Sequence, residues 1–434
     1  MRRVIVAGAG PVGLTAALVL ARRGAEVVVL EAGEGLATES RASTFHPPTL
    51  EMLAELEVLD PLMRRGVIAS TFQYRDRTEG LVAELDLAVL AADTPYPFRV
   101  QCEQSKLTPI LLAALDGRAE VRFGHAVRDV VLTGDGVTVT TGPGGARNGT
   151  RSGTSREPQD GTRSGTSREP QGGTEDGTSA GTRDQGRGDI PGGDIPGAER
   201  IGGDWLIGAD GAHSAVRLAL GVPFDGITYP ERFLVASVEE DLDRLIPGIG
   251  PINYVSDPVE WLVLLRTPDH WRVLLPTPAG TSDHAELARL PARLRTVADP
   301  GRPWKVAHAS LYPVHQRVAA SFRRGPVLLA GDAAHVNNPL GGMGMNSGIH
   351  DAVVLGTALA DVIAGAPGRV LDDAAARRRT VALDHVQRAS HANWERIRSG
   401  ADHRAGLRAL AADPEAARAH LLRSSMIASL RPDG

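Results

Sequence analysis

The sequence predicts an α/β protein in which a Rossmann-like nucleotide-binding domain is interleaved with a separate β-sheet domain and followed by C-terminal helices. Three observations lead there. The N-terminus runs strand, glycine turn, helix, strand. Two later apolar runs, Trp205-Leu206-Ile207-Gly208-Ala209-Asp210-Gly211 and Val327-Leu328-Leu329-Ala330-Gly331-Asp332, also stop at glycine and acid. Between them lie stretches that alternate apolar and polar residues, as a half-buried sheet does.

The first element is Val4–Ala7, a short buried strand, followed by Gly8, Gly10 and Gly13 at GxGxxG spacing with Pro11 and Val12 inside it. Leu14–Ala21 continues at helical period without a breaker. Glycines here permit a tight turn and close approach of backbone to a pyrophosphate, and the helix N-terminus offers unpaired N–H donors. A second strand, Glu26–Leu30, ends at Glu31 and Ala32, where an acid would hydrogen-bond a ribose diol and disfavour a 2′-phosphate. A glycine turn of purely structural purpose is the competing reading; the order of strand, helix, strand and acid favours nucleotide binding.

Composition bounds the rest. With 434 residues and 42% hydrophobic content, the chain is long enough for two or three packed units. No apolar run approaches the roughly 20 residues needed to cross a bilayer, and a strand beginning at Val4 leaves no signal peptide, which predicts a cytoplasmic protein. The single cysteine, Cys102, lacks neighbours at metal-ligand spacing and reads as packing; no metal site is expected. A net charge of -5 provides no basic field for nucleic acid, so the expected partner is a small molecule.

From Gly142 to Gly203 the composition changes to Gly, Thr, Ser, Arg, Asp and Pro, and the string GTRSGTSREPQ at 149–159 recurs at 161–171. Such a tract cannot bury enough apolar surface to offset the entropy of ordering it, and reads as a disordered low-complexity insertion in a hairpin. The expected division is therefore a discontinuous nucleotide-binding domain (1–68, 101–141, 204–226 and 320–370), a β-sheet substrate domain (69–100 and 227–319), the insertion (142–203), and a helical region (371–434).

At the two later glycine–acid stretches a family resemblance emerges. Gly208-Ala209-Asp210-Gly211-Ala212-His213-Ser214-Ala215-Val216-Arg217 resembles the DG motif, and Gly331-Asp332-Ala333-Ala334-His335 the GD motif, of the para-hydroxybenzoate hydroxylase-like family of single-component (class A) flavoprotein monooxygenases. Arg41, and Gln104 followed by Leu107 and Leu111, are similar to that family's cofactor-contacting positions. The resemblance covers nearly the whole chain outside the repeat tract. It implies the FAD-binding fold of that family, with FAD contacted by Gly8 to Gly13, Glu31, Ala32, Arg41 and Gln104, the stretch from Gly8 to Glu31 holding the ADP half. Asp210 and Arg217 would brace the junction, and Gly331, Asp332, Pro339, Gly342, Gly344, Met345 and Asn346 would hold the ribityl chain and flavin.

Residue chemistry leaves alternatives at several of these. Asp332 suits a ribityl hydroxyl and also a helix N-cap. Amides at the start of the Ser347–Leu359 helix suit negative charge on the reduced flavin. Asp210 and Arg217 equally suit a structural ion pair. His46 is the first candidate for a proton relay, or else a helix cap before Pro47-Pro48; Tyr229, Tyr254 and His315 rank lower. Pro339 would lie beside the reactive face of the flavin. Arg272 suits a substrate carboxylate or phenolate, or plain solvent exposure.

The resemblance implies hydroxylation of a phenolic or heteroaromatic ring through a flavin hydroperoxide. NADH or NADPH would act as transient reductant and O2 as co-substrate, in a monomer or homodimer without a membrane span. Epoxidation, Baeyer–Villiger oxygenation and a non-oxygenating flavin reduction are the alternatives that share the three motifs.

Overall fold

The computed structural model describes residues 2–38, 42–134, 136–143, 197–257, 259–398 and 403–431. Its first sheet has six strands in the spatial order Arg323–Arg324, Val327–Leu329, Trp205–Gly208, Arg3–Ala7, Glu26–Leu30, Glu120–Arg122. All pairs are parallel except the outermost, Arg323–Arg324 on Val327–Leu329. The three glycine–acid segments, more than a hundred residues apart in sequence, are thus three neighbouring strands. Their register is level: Ala7 pairs with Gly208, and Gly208 with Leu329, so all three end in one row. Val4, Ile5, Val6, Leu206, Val327 and Leu328 are buried because a parallel sheet is covered on both faces, which explains the unbroken apolar runs. In such sheets ligands occupy the crevice beyond the carboxyl ends of the strands, and that is where the three motifs converge.

One face of this sheet carries helix Pro11–Arg22, which packs against the long helix Met343–Ile363. Glycines set their separation. A Cβ on Gly348 would lie 2.6 Å from Val12 Cγ2, and one on Gly356 would lie 3.1 Å from Val19 Cγ1.

The second sheet has eight strands: His335–Val336, Val306–Ala319, Phe224–Val238, Trp271–Pro278, Leu262–Arg266, Ile252–Ser256, Thr71–Asp76, Gly80–Asp86. Alternation assigns its faces. Leu234, Ala236, Trp271, Val273 and Leu275 point to one side, against Leu290 and Leu294 of helix Asp283–Val297. Phe233, Val235, Val263 and Leu274 point to the other, where they meet Leu340 and Ile397. The strand His335–Val336, just after Asp332, pairs with Arg317 and Val318, so the third motif joins the two sheets. A three-stranded sheet of Thr44–Phe45, Arg99–Gln101 and Val67–Ala69 lies between them in sequence.

Both ends of the low-complexity tract are strand: Gly136–Pro143 pairs antiparallel with Glu199–Gly203. The hairpin partner is therefore Glu199–Gly203, and the apolar run that follows, Trp205–Gly208, belongs to the main sheet. The repeats, in 144–196, lie outside the described residues. Helices Arg369–Val381, Arg388–Arg398, Arg404–Ala412 and Pro414–Ser424 complete the chain. Among the described residues no helix is long and apolar enough to cross a membrane.

Candidate functional site

The first glycine turn is closed on the strand side and open on the other. Gly8 adopts φ +104°, and a Cβ there would lie 2.4 Å from Ala209 O; a Cβ on Gly13 would lie 1.9 Å from Gly8 O. Gly10, by contrast, faces space in which nothing lies within 4 Å of a Cβ. Gly10 is also the N-cap of helix Pro11–Arg22, with no side-chain cap and no acid in the first turn. The helix's first N–H groups and its positive dipole end are thus left to an outside anion. Glu31 is buried, its Oε2 accepting from Ala9 N at 2.7 Å and its Oε1 from Gly33 N at 2.9 Å, which fixes the acid to the turn. Ala32 follows it at the rim. Arg41 lies outside the described residues; Gln104 begins helix Gln104–Ala114, its N–H donating to Ala42 O at 3.0 Å.

At the third motif Gly331 takes φ +58°, and a Cβ on it would lie 2.8 Å from Val12 Cγ2, so the first and third motifs touch. Asp332 stands exposed at the turn and caps no helix there; the N-cap of the short 3-10 turn is Ala330. Behind the turn is an ionic network that sequence reading missed. Asp351 is fully buried and accepts from Gly331 N (3.1 Å), His335 Nε2 (2.8 Å) and Arg378 Nε (2.6 Å). Burial pushes its carboxyl up, but the Arg378 and His335 partners outweigh that and hold it down at about 2. An acid in an otherwise apolar helix, GIHDAVVL, was the available signal, because a buried charge requires a partner.

The loop between these strands and the long helix turns on Gly341 (φ +105°) and Gly342 (φ +68°), with Gly342 N donating to Pro339 O at 3.0 Å. Gly342 is the N-cap of helix Met343–Ile363, again without a side-chain cap or first-turn acid, so the Gly344 and Met345 end of the helix presents bare amides. Pro339 is partly exposed beside them. Asn346 is buried and its side chain is fully used within the chain. Its Oδ1 accepts from His46 N (2.9 Å) and Thr49 Oγ1 (2.7 Å), and its Nδ2 donates to Thr44 O (2.8 Å) and Gly342 O (2.6 Å). Only its backbone remains for a cofactor.

His46 is fully buried, with Nε2 2.8 Å from Gly341 O and Nδ1 without a partner. It occupies the N-cap position of helix Pro47–Glu55, yet its ring makes no cap bond. Burial, reinforced by Arg99, holds it well below the usual histidine value, so the ring is neutral.

The second motif separates Asp210 from Arg217. Asp210 Oδ2 accepts from Val216 N at 3.1 Å, while its buried Oδ1 has no partner, and burial raises its carboxyl. Arg217 donates to Ala333 O (2.9 Å) and Ala212 O (2.7 Å) and lies over the Phe224 ring. Among the described residues no ion pair joins the two.

The sheet face opposite helix Asp283–Val297 is aromatic and meets Leu340 next to Pro339. Tyr229 lies edge-on to Trp394 and its OH sits 2.9 Å from both Gln316 Oε1 and His391 Nδ1. Tyr254 packs against Phe72 and Tyr74, and a pocket opens beside it between Tyr74, Asn393, Arg396 and Ile397. Arg272 is buried on this side, not solvated; burial lowers its guanidinium, with Tyr312 and the Glu103 carboxylate acting in the opposite sense. His315 stands away from the pocket, 2.9 Å from Thr228 Oγ1. Helix Arg388–Arg398, which supplies Asn393 and Trp394, was not legible as part of the site. Among the described residues no group of side chains is arranged to hold a metal ion.

The fit to a dinucleotide flavin is good: two glycine-capped, acid-free helix N-termini and an unpartnered buried Asp210 oxygen face the crevice at the sheet's carboxyl end. Comparison with known proteins agrees. The FAD binding domain family model matches residues 1–152 and 159–389. The chain is 34% identical over 401 residues to para-nitrophenol 4-monooxygenase of Pseudomonas sp. (strain WBC-3), covering 90% of this chain and 86% of that one. It is 32% identical over 367 residues to 6-hydroxy-3-succinoylpyridine 3-monooxygenase of Pseudomonas putida (strain DSM 28022 / S16), covering 83% and 80%. The crystal structure of p-nitrophenol 4-monooxygenase from Pseudomonas putida DLL-E4 superposes with a TM-score of 0.83 at 31% identity, covering 99% of this chain and all of that one.

Proposed function

Because the chain belongs to the para-hydroxybenzoate hydroxylase-like family of FAD-dependent aromatic monooxygenases, we propose that it hydroxylates a phenolic or heteroaromatic ring using NADH or NADPH and O2. The observation that carries this reading is the juxtaposition of Pro339–Gly342 with the aromatic face of the second sheet through Leu340. Redox and oxygen-activating chemistry come with the bound FAD.

The chain's own residues bind and orient. The N–H groups of Gly10, Val12 and Gly13 would hold the pyrophosphate, and the remaining lone pairs of Glu31 would accept the ribose hydroxyls. Asp332, exposed at the strand end, accepts a ribityl hydroxyl. The Gly342–Met345 amides stabilise negative charge at the pyrimidine edge, as a helix N-terminus does for any anion. Asp210 and Arg217 brace the turn between the two halves.

His46 supports the Gly341 turn through Nε2, and its neutral ring leaves Nδ1 as a buried hydrogen-bond acceptor. Phe233, Trp261 and Leu340 exclude water from the ring-bearing side.

Purified holoprotein should oxidise NADH or NADPH faster in the presence of a member of a panel of phenols, hydroxybenzoates and hydroxypyridines, and its product should gain one oxygen atom. A product without added oxygen, or peroxide alone across the panel, would refute hydroxylation.

A further inference from the structure

The aromatic face of the second sheet and the pocket beside Tyr74 are neighbouring spaces. Among the described residues two side chains belong to both, Tyr254 and Ile397. On one side they pack with Leu340, the residue after Pro339; on the other they line the pocket, whose lining reaches the surface at the exposed His403. The glycine loop touches the pocket's lining as well. Asn393 Nδ2 donates to Leu340 O at 3.3 Å, and a Cβ on Gly341 would lie 2.8 Å from the same nitrogen, so the loop comes this close only as glycine. Asn393 and Ile397 are four apart on helix Arg388–Arg398 and share one face, which stands between the pocket and the loop.

Of the two shared side chains, Tyr254 is braced. Its ring lies 5.7 Å from Tyr74 and 6.2 Å, edge-on, from Phe72, and its strand is paired on both sides. Ile397 has no polar atom to tie it, and it lies in the last turn of its helix, where the final carbonyls have no intrahelical partner. At 5% exposure it fills the gap between pocket and loop. The pocket's aromatic walls at Tyr74 and Tyr254 suit the faces and edges of a passing ring.

We propose that this pocket is the vestibule through which the aromatic substrate reaches the Pro339 loop, and that Ile397 is the constriction that sets the rate of passage and the ring width admitted. This rests on the aromatic-hydroxylase reading and adds to it an entry route and a residue that selects by size.

Stopped-flow mixing of FAD-loaded protein with para-nitrophenol, 4-hydroxybenzoate or 2-naphthol, followed by the flavin spectrum, measures association and dissociation without turnover. A constriction moves both rates together and leaves Kd nearly unchanged, whereas a wall of the binding site moves Kd. Ile397→Ala is expected to speed both rates about tenfold for the widest probe that binds, and less for the narrowest, with Kd kept within about threefold. Ile397→Trp should slow both. Leu407→Trp, at the partly exposed part of the lining, should also slow both without touching the cluster at Leu340, and it decides if the Ile397 variants do not fold or lose FAD. Rates within about twofold of wild type in these variants, or a change confined to Kd, would overturn the route. Absence of a spectral response to all three probes in the wild type would overturn the hydroxylase reading and the route with it; a response with insensitive rates overturns the route alone.

Discussion

Asp351 Oδ1 and Arg378 Nε are 2.6 Å apart and fully buried, on two different helices, and the other oxygen of Asp351 accepts from Gly331 N. This pair therefore ties the glycine turn that precedes Asp332 to the helical C-terminal region. Replacing Asp351 with Asn keeps the shape and leaves Arg378 uncompensated. The expected loss is about 3–5 kcal/mol of stability, as for other broken buried pairs, together with weaker FAD retention. Urea denaturation and flavin content after gel filtration check both.

The sign of the pH effect at Asp351 follows from its lowered value. A depressed carboxyl contributes its stability above the unfolded value near 4 and loses it as pH falls towards about 2. Acid denaturation of the wild type should thus be steep in that window and shallower in Asp351→Asn, as read by circular dichroism.

The buried histidines act higher on the scale. His46 is held well below the ordinary value, His350 at about 3 and His420 at about 4, in each case first by burial. The unfolded chain takes up protons near pH 6.5 that the folded chain refuses, so stability should fall as pH drops below about 6.5, by up to about 1.4 kcal/mol per unit for each histidine. Melting temperatures at neutral and mildly acidic pH check the slope, and His350→Gln should flatten it.

The glycine turn separates binding from folding. Gly13→Ala places a Cβ 1.9 Å from Gly8 O and should destabilise the apoprotein, whereas Gly10→Ala points into open space and should leave apoprotein melting nearly unchanged while weakening FAD affinity. Thermal melting of apoprotein alongside FAD titration distinguishes them; equal apoprotein losses would contradict the turn's role.

Those glycine turns were legible in sequence because their causes are local: a strand, a φ-positive turn and a helix cap occupy ten adjacent residues or so. The central strands Arg3–Ala7, Glu26–Leu30, Trp205–Gly208 and Val327–Leu329 were legible in the same runs. What sequence could not supply depends on residues hundreds of positions apart. Asn346, read as a cofactor contact, spends its side chain on Thr44, His46, Thr49 and Gly342. Asp210 and Arg217, seven apart, find different partners. The helix Arg388–Arg398 carries only a weak local signal, and its place beside Leu340 arises from tertiary packing.

The central claim is that Pro339–Gly342 and the aromatic face of the second sheet form one oxygenating site. Mass measurement of the product formed under isotopically labelled O2, from whichever phenol or hydroxypyridine accelerates NAD(P)H oxidation, tests it directly. One labelled oxygen on the ring is the expected result; an unlabelled product, or label recovered only in peroxide, would contradict it.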